Sequence, residues 1–239
     1  LDRLQLTDSI ALTGVQGKFD TARGLAGDFS ARVNGKAAIT GKVTPVGDRS
    51  RFEIRSKDAG AVISAAGFMD QGRKGDMVLT LNPVARDGHY DGDLKITNVR
   101  VANLPALAAL LHAISVIGLL EQMTGPGVVF SDVEAKFRLT PDQVILRSGS
   151  AVGASMGLSL DGVFDLANKQ MDLQGVISPF YMLNAVGSIL TRKGEGLIGF
   201  NYRLTGSTEK PKVQINPLSL FTPGMFREIF RRPPPKVPE

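Results

Sequence analysis

Residues 132–146, DVEAKFRLTPDQVIL, indicate most clearly which fold this chain adopts. Between 133 and 139 apolar and charged residues alternate, which is the period of a β-strand with one apolar face and one solvated face. Thr140-Pro141-Asp142 has the composition of a turn, and a second apolar segment follows at 144–146. The stretch therefore predicts an antiparallel β-hairpin whose apolar side chains share one face.

The same alternation recurs on both sides of this hairpin. Phe52 and Ile54, for example, alternate with charged residues, and turn-forming glycines separate one segment from the next. Asn-Gly and Asp-Gly favour tight hairpins because both central residues adopt positive φ. Recurrent short strands joined by tight turns predict a mainly β fold with a few helices, built as an antiparallel meander. The turns predicted before residue 101 are Asn34-Gly35, Val46-Gly47-Asp48, Gln71-Gly72-Arg73 and Asp91-Gly92.

One stretch interrupts the strands: residues 104–123, LPALAALLHAISVIGLLEQM, form the longest apolar run. Asn103 can cap a helix, Pro105 suits its first turn, and the sequence Gly-Pro-Gly at 125–127 ends it. About twenty apolar residues could span a bilayer. The flanks carry no basic cluster, however, and His112 belongs to a thin polar stripe. We expect one long apolar helix that packs on the sheet rather than crossing a membrane.

Two short amphipathic helices are predicted near the C-terminus. Ser178-Pro179 and Thr222-Pro223 are helix-start signals, for helices over 180–190 and 222–232. The second helix has about ten residues and rises about 15 Å, which is too short to cross a membrane but long enough to lie on one. A helix docked on its own sheet fits the same periodicity. The residues expected to dock on a membrane are Met225, Phe226, Arg227, Ile229, Phe230, Arg231 and Arg232.

The charge balance limits the classes of partner. The 239-residue chain has a net charge of +5, and residues 191–239 carry nine Lys/Arg against four Asp/Glu. A basic end suggests an anionic surface, either lipid headgroups or nucleic acid. No strand pair combines aromatic and basic residues as a base-stacking platform would, so nucleic acid is not an expected partner. The chain has no cysteine, which excludes disulfides and thiolate chemistry.

Few residues could carry chemistry. Residues 194–199, GEGLIG, match G-x-G-x-x-G, but a helix is expected before them and a strand after them, the reverse of a dinucleotide site. His89 lies in a turn rich in Asp and Gly, and His112 lies on the apolar helix. Paired carboxylates such as Asp91 and Asp93 occupy a presumed solvated face, whereas acid–base catalysis needs a cleft. We expect no enzyme, no catalytic residue, no metal and no cofactor.

Three segments together resemble a known family. They are 104–130, LPALAALLHAISVIGLLEQMTGPGVVF; 157–190, GLSLDGVFDLANKQMDLQGVISPFYMLNAVGSIL; and 194–230, GEGLIGFNYRLTGSTEKPKVQINPLSLFTPGMFREIF. This order of elements resembles the C-terminal region of the AsmA-like family, especially its large YhdP-type members. The resemblance covers about half the chain. Residues 1–101 fit the family only by their alternating, glycine-rich character.

The resemblance implies a bridge-like lipid transfer protein of the periplasm, anchored in the inner membrane by a segment that this chain does not include. It implies an extended, twisted antiparallel sheet curled into an open groove. The expected partners are phospholipids, a membrane surface, expected to be the outer membrane, and other envelope proteins. The expected domains are a β-groove segment at 1–101, an AsmA-like groove segment at 102–216 and a basic tail at 217–239.

The resemblance and the alternation together give candidate site residues. Acyl chains would lie on the apolar face, and Leu107, Leu111 and Ile114 of the long helix would form a lid or plug over it. Two other functions fit the sequence: a non-transporting scaffold for outer-membrane protein assembly, and an enzyme acting on envelope glycans or lipids through His89. The expected groove residues are Phe137, Leu139, Leu160, Phe164, Leu166, Met171, Leu173, Ile177, Phe200, Tyr202, Leu204, Val213 and Ile215.

Overall fold

The described residues of the chain fold as an open antiparallel sheet with two short α-helices. The computed structural model describes residues 1–7, 10–22, 24–67, 71–114, 127–179, 193–196, 198–216, 218–219 and 231–236. The predicted helix over 180–190 and most of the one over 222–232 lie outside these residues. The described elements are β1 (Arg3–Gln5), β2 (Ala11–Asp20), β3 (Ala26–Val33), β4 (Ala37–Val46), β5 (Arg49–Ser56), α1 (Ala59–Ala65), β6 (Gln71–Arg73), β7 (Asp76–Pro83), β8 (Tyr90–Ala102), α2 (Pro105–Ala113), β9 (Val128–Leu139), β10 (Gln143–Val152), β11 (Met156–Asp165), β12 (Gln170–Pro179), β13 (Phe200–Ser207) and β14 (Pro211–Asn216).

The strands follow one another across the sheet in chain order. Each described strand pairs antiparallel with the next, except that β7 rather than β6 joins β5 to β8, and β6 pairs with the far end of β8. This arrangement confirms the predicted antiparallel meander. The sheet also continues through the expected domain boundary at residue 101, because β8 pairs with β9 along most of its length.

Strand register separates the sheet into two faces. On what we call the apolar face, Ile54, Leu79, Leu94 and Ala135 are direct neighbours on β5, β7, β8 and β9. On the opposite polar face, the matching row is Glu53, Thr80, Asp93 and Lys136. The period of two in the sequence produces this division, because successive side chains of a strand point to opposite faces.

Two of the four turns predicted before residue 101 are correct. Asn34 and Gly35 join β3 to β4 with φ values of 47° and 73°, and Gly47 lies between β4 and β5. The prediction at Asp91-Gly92 is wrong, because both residues lie inside β8. Gly92 is required for packing: a Cβ there would lie 2.3 Å from Cζ of Phe137, whose ring covers the glycine. The prediction at 71–73 is also wrong, because this segment forms β6.

The long apolar helix is a wrong prediction. Within the described residues, α2 comprises nine residues and ends at Ala113, with Ile114 as its C-cap. Pro105 occupies the first turn as expected, but the N-cap is Leu104 rather than Asn103, and it makes no side-chain cap hydrogen bond. The sequence beyond the helix, ISVIG at 114–118, is rich in β-branched residues, which have low helix propensity. No helix among the described residues is long and apolar enough to cross a membrane.

Helix α2 packs on the apolar face and shows that the sheet curls. Two residues separate it from β8; it spans about 14 Å and contacts β14. In a flat sheet, β14 would lie six strand spacings, or about 29 Å, from β8. The helix reaches β14 because strands β8–β14 curl around it.

The two helices bury one end of the apolar face, which we call the helix end. There Met77, Ile96, Phe130, Met156 and Ile177 are at most 5% exposed and belong to one core with α2. The other end, where the turns at 47–48, 84–89, 140–142, 166–169 and 208–210 lie, we call the turn end. Apolar-face side chains near the turn end are less buried, so the face opens in that direction.

Candidate apolar binding face

Twelve of the thirteen expected groove residues lie together on the apolar face. Strand register places them side by side. Leu139 and Phe137 of β9 lie opposite residues of β10, which in turn lie opposite residues of β11. Leu173, Leu204 and Val213 are direct neighbours on β12–β14. The thirteenth residue, Leu166, lies in the turn after β11, where its backbone N–H donates to the carbonyl of Asp142. The alternating sequence pattern therefore brings the expected residues together.

Their exposure divides them into two groups. Met171, Ile177, Tyr202 and Leu204 are buried, between 0% and 7% exposed. The other nine are partly exposed and so accessible from the apolar face or its turn end. They are Phe137, Leu139, Leu160, Phe164, Leu166, Leu173, Phe200, Val213 and Ile215.

Strands β2–β8 extend the same apolar face, which the sequence-based site residues did not include. Phe52 lies between Val43 and Leu81 in register, and Phe19 on β2 is 48% exposed. The alternation around Phe52 and Ile54 indicates that this half also has an apolar face. The expected groove residues did not include it because the family resemblance covers only the later half of the chain. The apolar face therefore runs across the sheet from β2 to β14.

Aromatic side chains cover this face at three glycines. The ring of Phe29 covers Gly41, that of Phe137 covers Gly92, and the hydroxyl end of Tyr202 lies over Gly175. The Tyr202 hydroxyl donates to the carbonyl oxygen of Ser159 at 2.9 Å, and burial raises the pKa of this phenol. Because the glycines have no side chains, the rings add apolar surface without projecting far from the sheet.

The expected lid residues of α2 lie on the sheet. Leu107 and Leu111 are 2% and 0% exposed, Ile114 is partly buried against the same core, and His112 is exposed. This is the orientation expected for a helix that covers the apolar face. The remaining residues of the predicted helix, 115–123, lie outside the described part of the chain.

Three turns form a connected rim at the turn end of β9–β14. Leu166 N–H donates to Asp142 O at 2.8 Å, and Thr208 N–H donates to Lys169 O at 3.3 Å. These bonds link turn 140–142 to turn 166–169, and turn 166–169 to turn 208–210. The rim exposes both charge signs, through Asp142, Lys169, Glu209 and Lys210.

The polar face of β11–β13 holds a buried charge cluster. The side chains of Asp161, Glu195 and Arg231 are 2%, 4% and 7% exposed. Arg231 donates one hydrogen bond to Asp161 and another, of 2.7 Å, to Oε1 of Glu195. Ser159 Oγ donates to Glu195 at 2.5 Å, and Gln174 Nε2 donates to Asp161 at 2.8 Å. Segments far apart in sequence therefore meet on this face.

This cluster corrects the expectation for Arg231, which is enclosed by protein and does not face a membrane. Arg232 is half-exposed and pairs with Asp172, while its backbone N–H and C=O both bond the side-chain amide of Gln174. Hydrogen bonds from Arg203 and then Arg232 lower the pKa of Asp172 to about 2. The other expected docking residues lie outside the described residues: Met225, Phe226, Arg227, Ile229 and Phe230.

Two other residues considered for chemistry, Asp91 and His89, have structural partners. Asp91 accepts from Arg138 at 2.8 Å and from Arg147 at 2.6 Å, and the Arg138 hydrogen bond is the main cause that lowers its pKa. His89 lies in the 84–89 turn, where Nδ1 is 2.8 Å from Asp87 O. Within the described residues, no three His, Asp or Glu side chains are grouped so that they could hold a metal ion.

No protein-family model, curated protein or solved structure matches this chain. The apolar face and its rim are the features of the described residues that bear on function.

Proposed function

We propose that this chain is a segment of a periplasmic lipid-transfer bridge, which shields phospholipid acyl chains between the inner and outer membranes. The observation that carries the proposal is the apolar face, which runs across the sheet from β2 to β14 and is partly exposed toward the turn end. A sheet face this apolar needs a cover, and among the described residues two short helices cover its helix end. An acyl chain is a cover of suitable shape and polarity. Membership of the AsmA-like family belongs to this proposal and rests on the three sequence segments quoted above.

The energetics of such a face suit transfer as well as binding. Each buried CH2 group contributes about 0.8 kcal/mol, so an acyl chain along several strands is held firmly. The interaction is non-directional, so the chain can slide from one strand to the next while it stays covered. The aromatic rings of Phe29 and Phe137 fill the space over Gly41 and Gly92, so they add apolar surface where these strands have no side chain.

The proposal includes docking of the C-terminal end on a membrane surface. It is supported by the basic balance of residues 191–239 and by the apolar residues Met225, Phe226, Ile229 and Phe230 of the sequence. Arg231 is excluded from this role because it is buried in ion pairs with Asp161 and Glu195, whereas Arg232 is half-exposed and pairs with Asp172.

Photo-crosslinking tests the lipid-binding part. A benzoylphenylalanine at position 52 replaces an apolar-face ring of similar shape, and the same residue at position 51 lies on the polar face of the same strand. After incubation of the full chain with phospholipid vesicles, we expect lipid adducts at position 52 and few at position 51. Positions 81 and 80 on β7 provide a second matched pair.

Equal labelling of the two faces, or no lipid at positions 52 and 81, would contradict the proposal. If cells still required the chain in that case, the scaffold function would be favoured.

A further inference from the structure

The turn end of the sheet carries acidic and basic residues in nearly equal number. The five turns at 47–48, 84–89, 140–142, 166–169 and 208–210 carry four acidic residues and three basic ones, although the whole chain has a net charge of +5. The basic excess of the chain therefore lies elsewhere. An anionic headgroup would find no net attraction at this rim.

The rim of β9–β14 interleaves its charges. Asp142, Lys169 and the pair Glu209 and Lys210 belong to three successive turns, joined by the two backbone hydrogen bonds described above. All four side chains are exposed, and none makes an ion pair with another described residue. The centres of neighbouring turns are two strand spacings, or about 10 Å, apart, although the turns come within hydrogen-bond distance where these two bonds form. A lysine side chain together with a headgroup that carries both charges can bridge this distance.

The apolar face begins directly beneath these charges. Leu139 precedes the first turn, Phe164 and Leu166 flank the start of the second, and Val213 follows the third. All four are only partly buried. A lipid whose acyl chain lies on this surface would therefore place its headgroup among charges of both signs.

We propose that the lipid carried by this face has a zwitterionic headgroup, which is seated at the rim with its phosphate toward Lys169 or Lys210 and its ammonium toward Asp142 or Glu209. This inference rests on the proposed lipid-binding function. It adds the class of headgroup, which the apolar face alone does not determine. An anionic headgroup would gain from the lysines but would be repelled by the two carboxylates.

Competition between two lipids tests the inference. The full chain is incubated with vesicles that contain equal amounts of phosphatidylethanolamine and phosphatidylglycerol with identical acyl chains, and the bound lipid is identified by native mass spectrometry. We expect phosphatidylethanolamine to be enriched about threefold, the factor that corresponds to exposed ion pairs of this kind.

Two charge reversals make the test specific. Asp142→Lys removes an acidic partner from the rim and should shift the selectivity toward phosphatidylglycerol. Asp93→Lys makes the same chemical change on the exposed polar face of β8, away from the rim, and should leave the selectivity unchanged. A preference for phosphatidylglycerol, no preference, or equal shifts in both variants overturns the headgroup assignment while lipid binding stands. Absence of bound lipid from every variant overturns the proposed function as well.

Discussion

The polar faces of the two halves of the sheet differ in what covers them. On β3 and β4, Ser30, Arg32, Thr40 and Lys42 are exposed, and two hollows of about 740 and 650 Å³ open on this side. On β11–β13, the equivalent polar positions are buried beneath residues 193–196, 219 and 231–232. They are Ser159, Asp161, Gln174 and Asn201, between 2% and 7% exposed.

Residue type explains this difference better than hydrophobic pattern does. Both halves alternate with a period of two, so both predict one polar face. The exposed half uses long cations such as Lys18, Lys42 and Arg55, which remain solvated at little cost. The covered half uses hydroxyl and amide side chains, which can satisfy a backbone that lies over them. Gln174 bonds both backbone groups of Arg232, and Ser178 Oγ accepts from Gly196 N–H.

The largest effect is expected from Arg231→Ala. Removing this guanidinium leaves Asp161 and Glu195 buried without their cation, which should lower the free energy of unfolding by about 3–5 kcal/mol. Arg32→Ala, on the exposed polar face, should change it by less than about 0.5 kcal/mol. Urea unfolding followed by circular dichroism measures both. Similar losses in the two variants would show that the buried polar face contributes no more to the free energy of unfolding than the exposed one.

A smaller loss is expected from Gln174→Ala. The substitution removes the partner of Arg232 N–H and C=O and one donor to Asp161, so we expect a loss of about 1–3 kcal/mol. Lys42→Ala changes a polar-face residue of the other half and serves as the control in the same unfolding assay, with little expected change. If Gln174→Ala changes the free energy of unfolding as little as the control does, the hydrogen bonds of Gln174 to Arg232 do not stabilise the folded protein in solution.

The smallest effect concerns acid stability. Because the folded-state pKa of Asp172 is lowered from 3.8 to about 2, its contribution is fully present above about pH 4 and is lost as the pH falls toward 2. The residue is partly exposed, so Asp172→Asn should cost less than about 1 kcal/mol at pH 7. It should also reduce the loss of stability between pH 4 and pH 2. Unfolding midpoints measured across this range check the sign, and a variant that loses stability as steeply as the unsubstituted chain would contradict it.

The sequence predicts features that depend on neighbouring residues in the chain. Alternation around Phe137 and Phe164 correctly places both side chains on one face, and Asn34-Gly35 correctly predicts a turn because its conformation is local. The turn predicted at Gly92 is wrong because the glycine is needed to accommodate the ring of Phe137, which is 45 positions away in the sequence. The membrane-docking role predicted for Arg231 is wrong because its partner Asp161 is 70 positions away. Helix α2 is shorter than expected because apolar character alone does not fix helix length.

The order of strands has a consequence for how the chain acquires its structure. Nearly every strand pairs with the one made just before it, so the sheet can grow by short loop closures as the polypeptide emerges from the ribosome. The contacts of Arg231 with Asp161 and Glu195 span 70 and 36 positions. They can form only after residue 231 has been made, well after β3 and β4 can pair. The polar face of β11–β13 is therefore covered late, and pulse-labelled hydrogen exchange should detect protection of β3 and β4 before protection beneath Arg231.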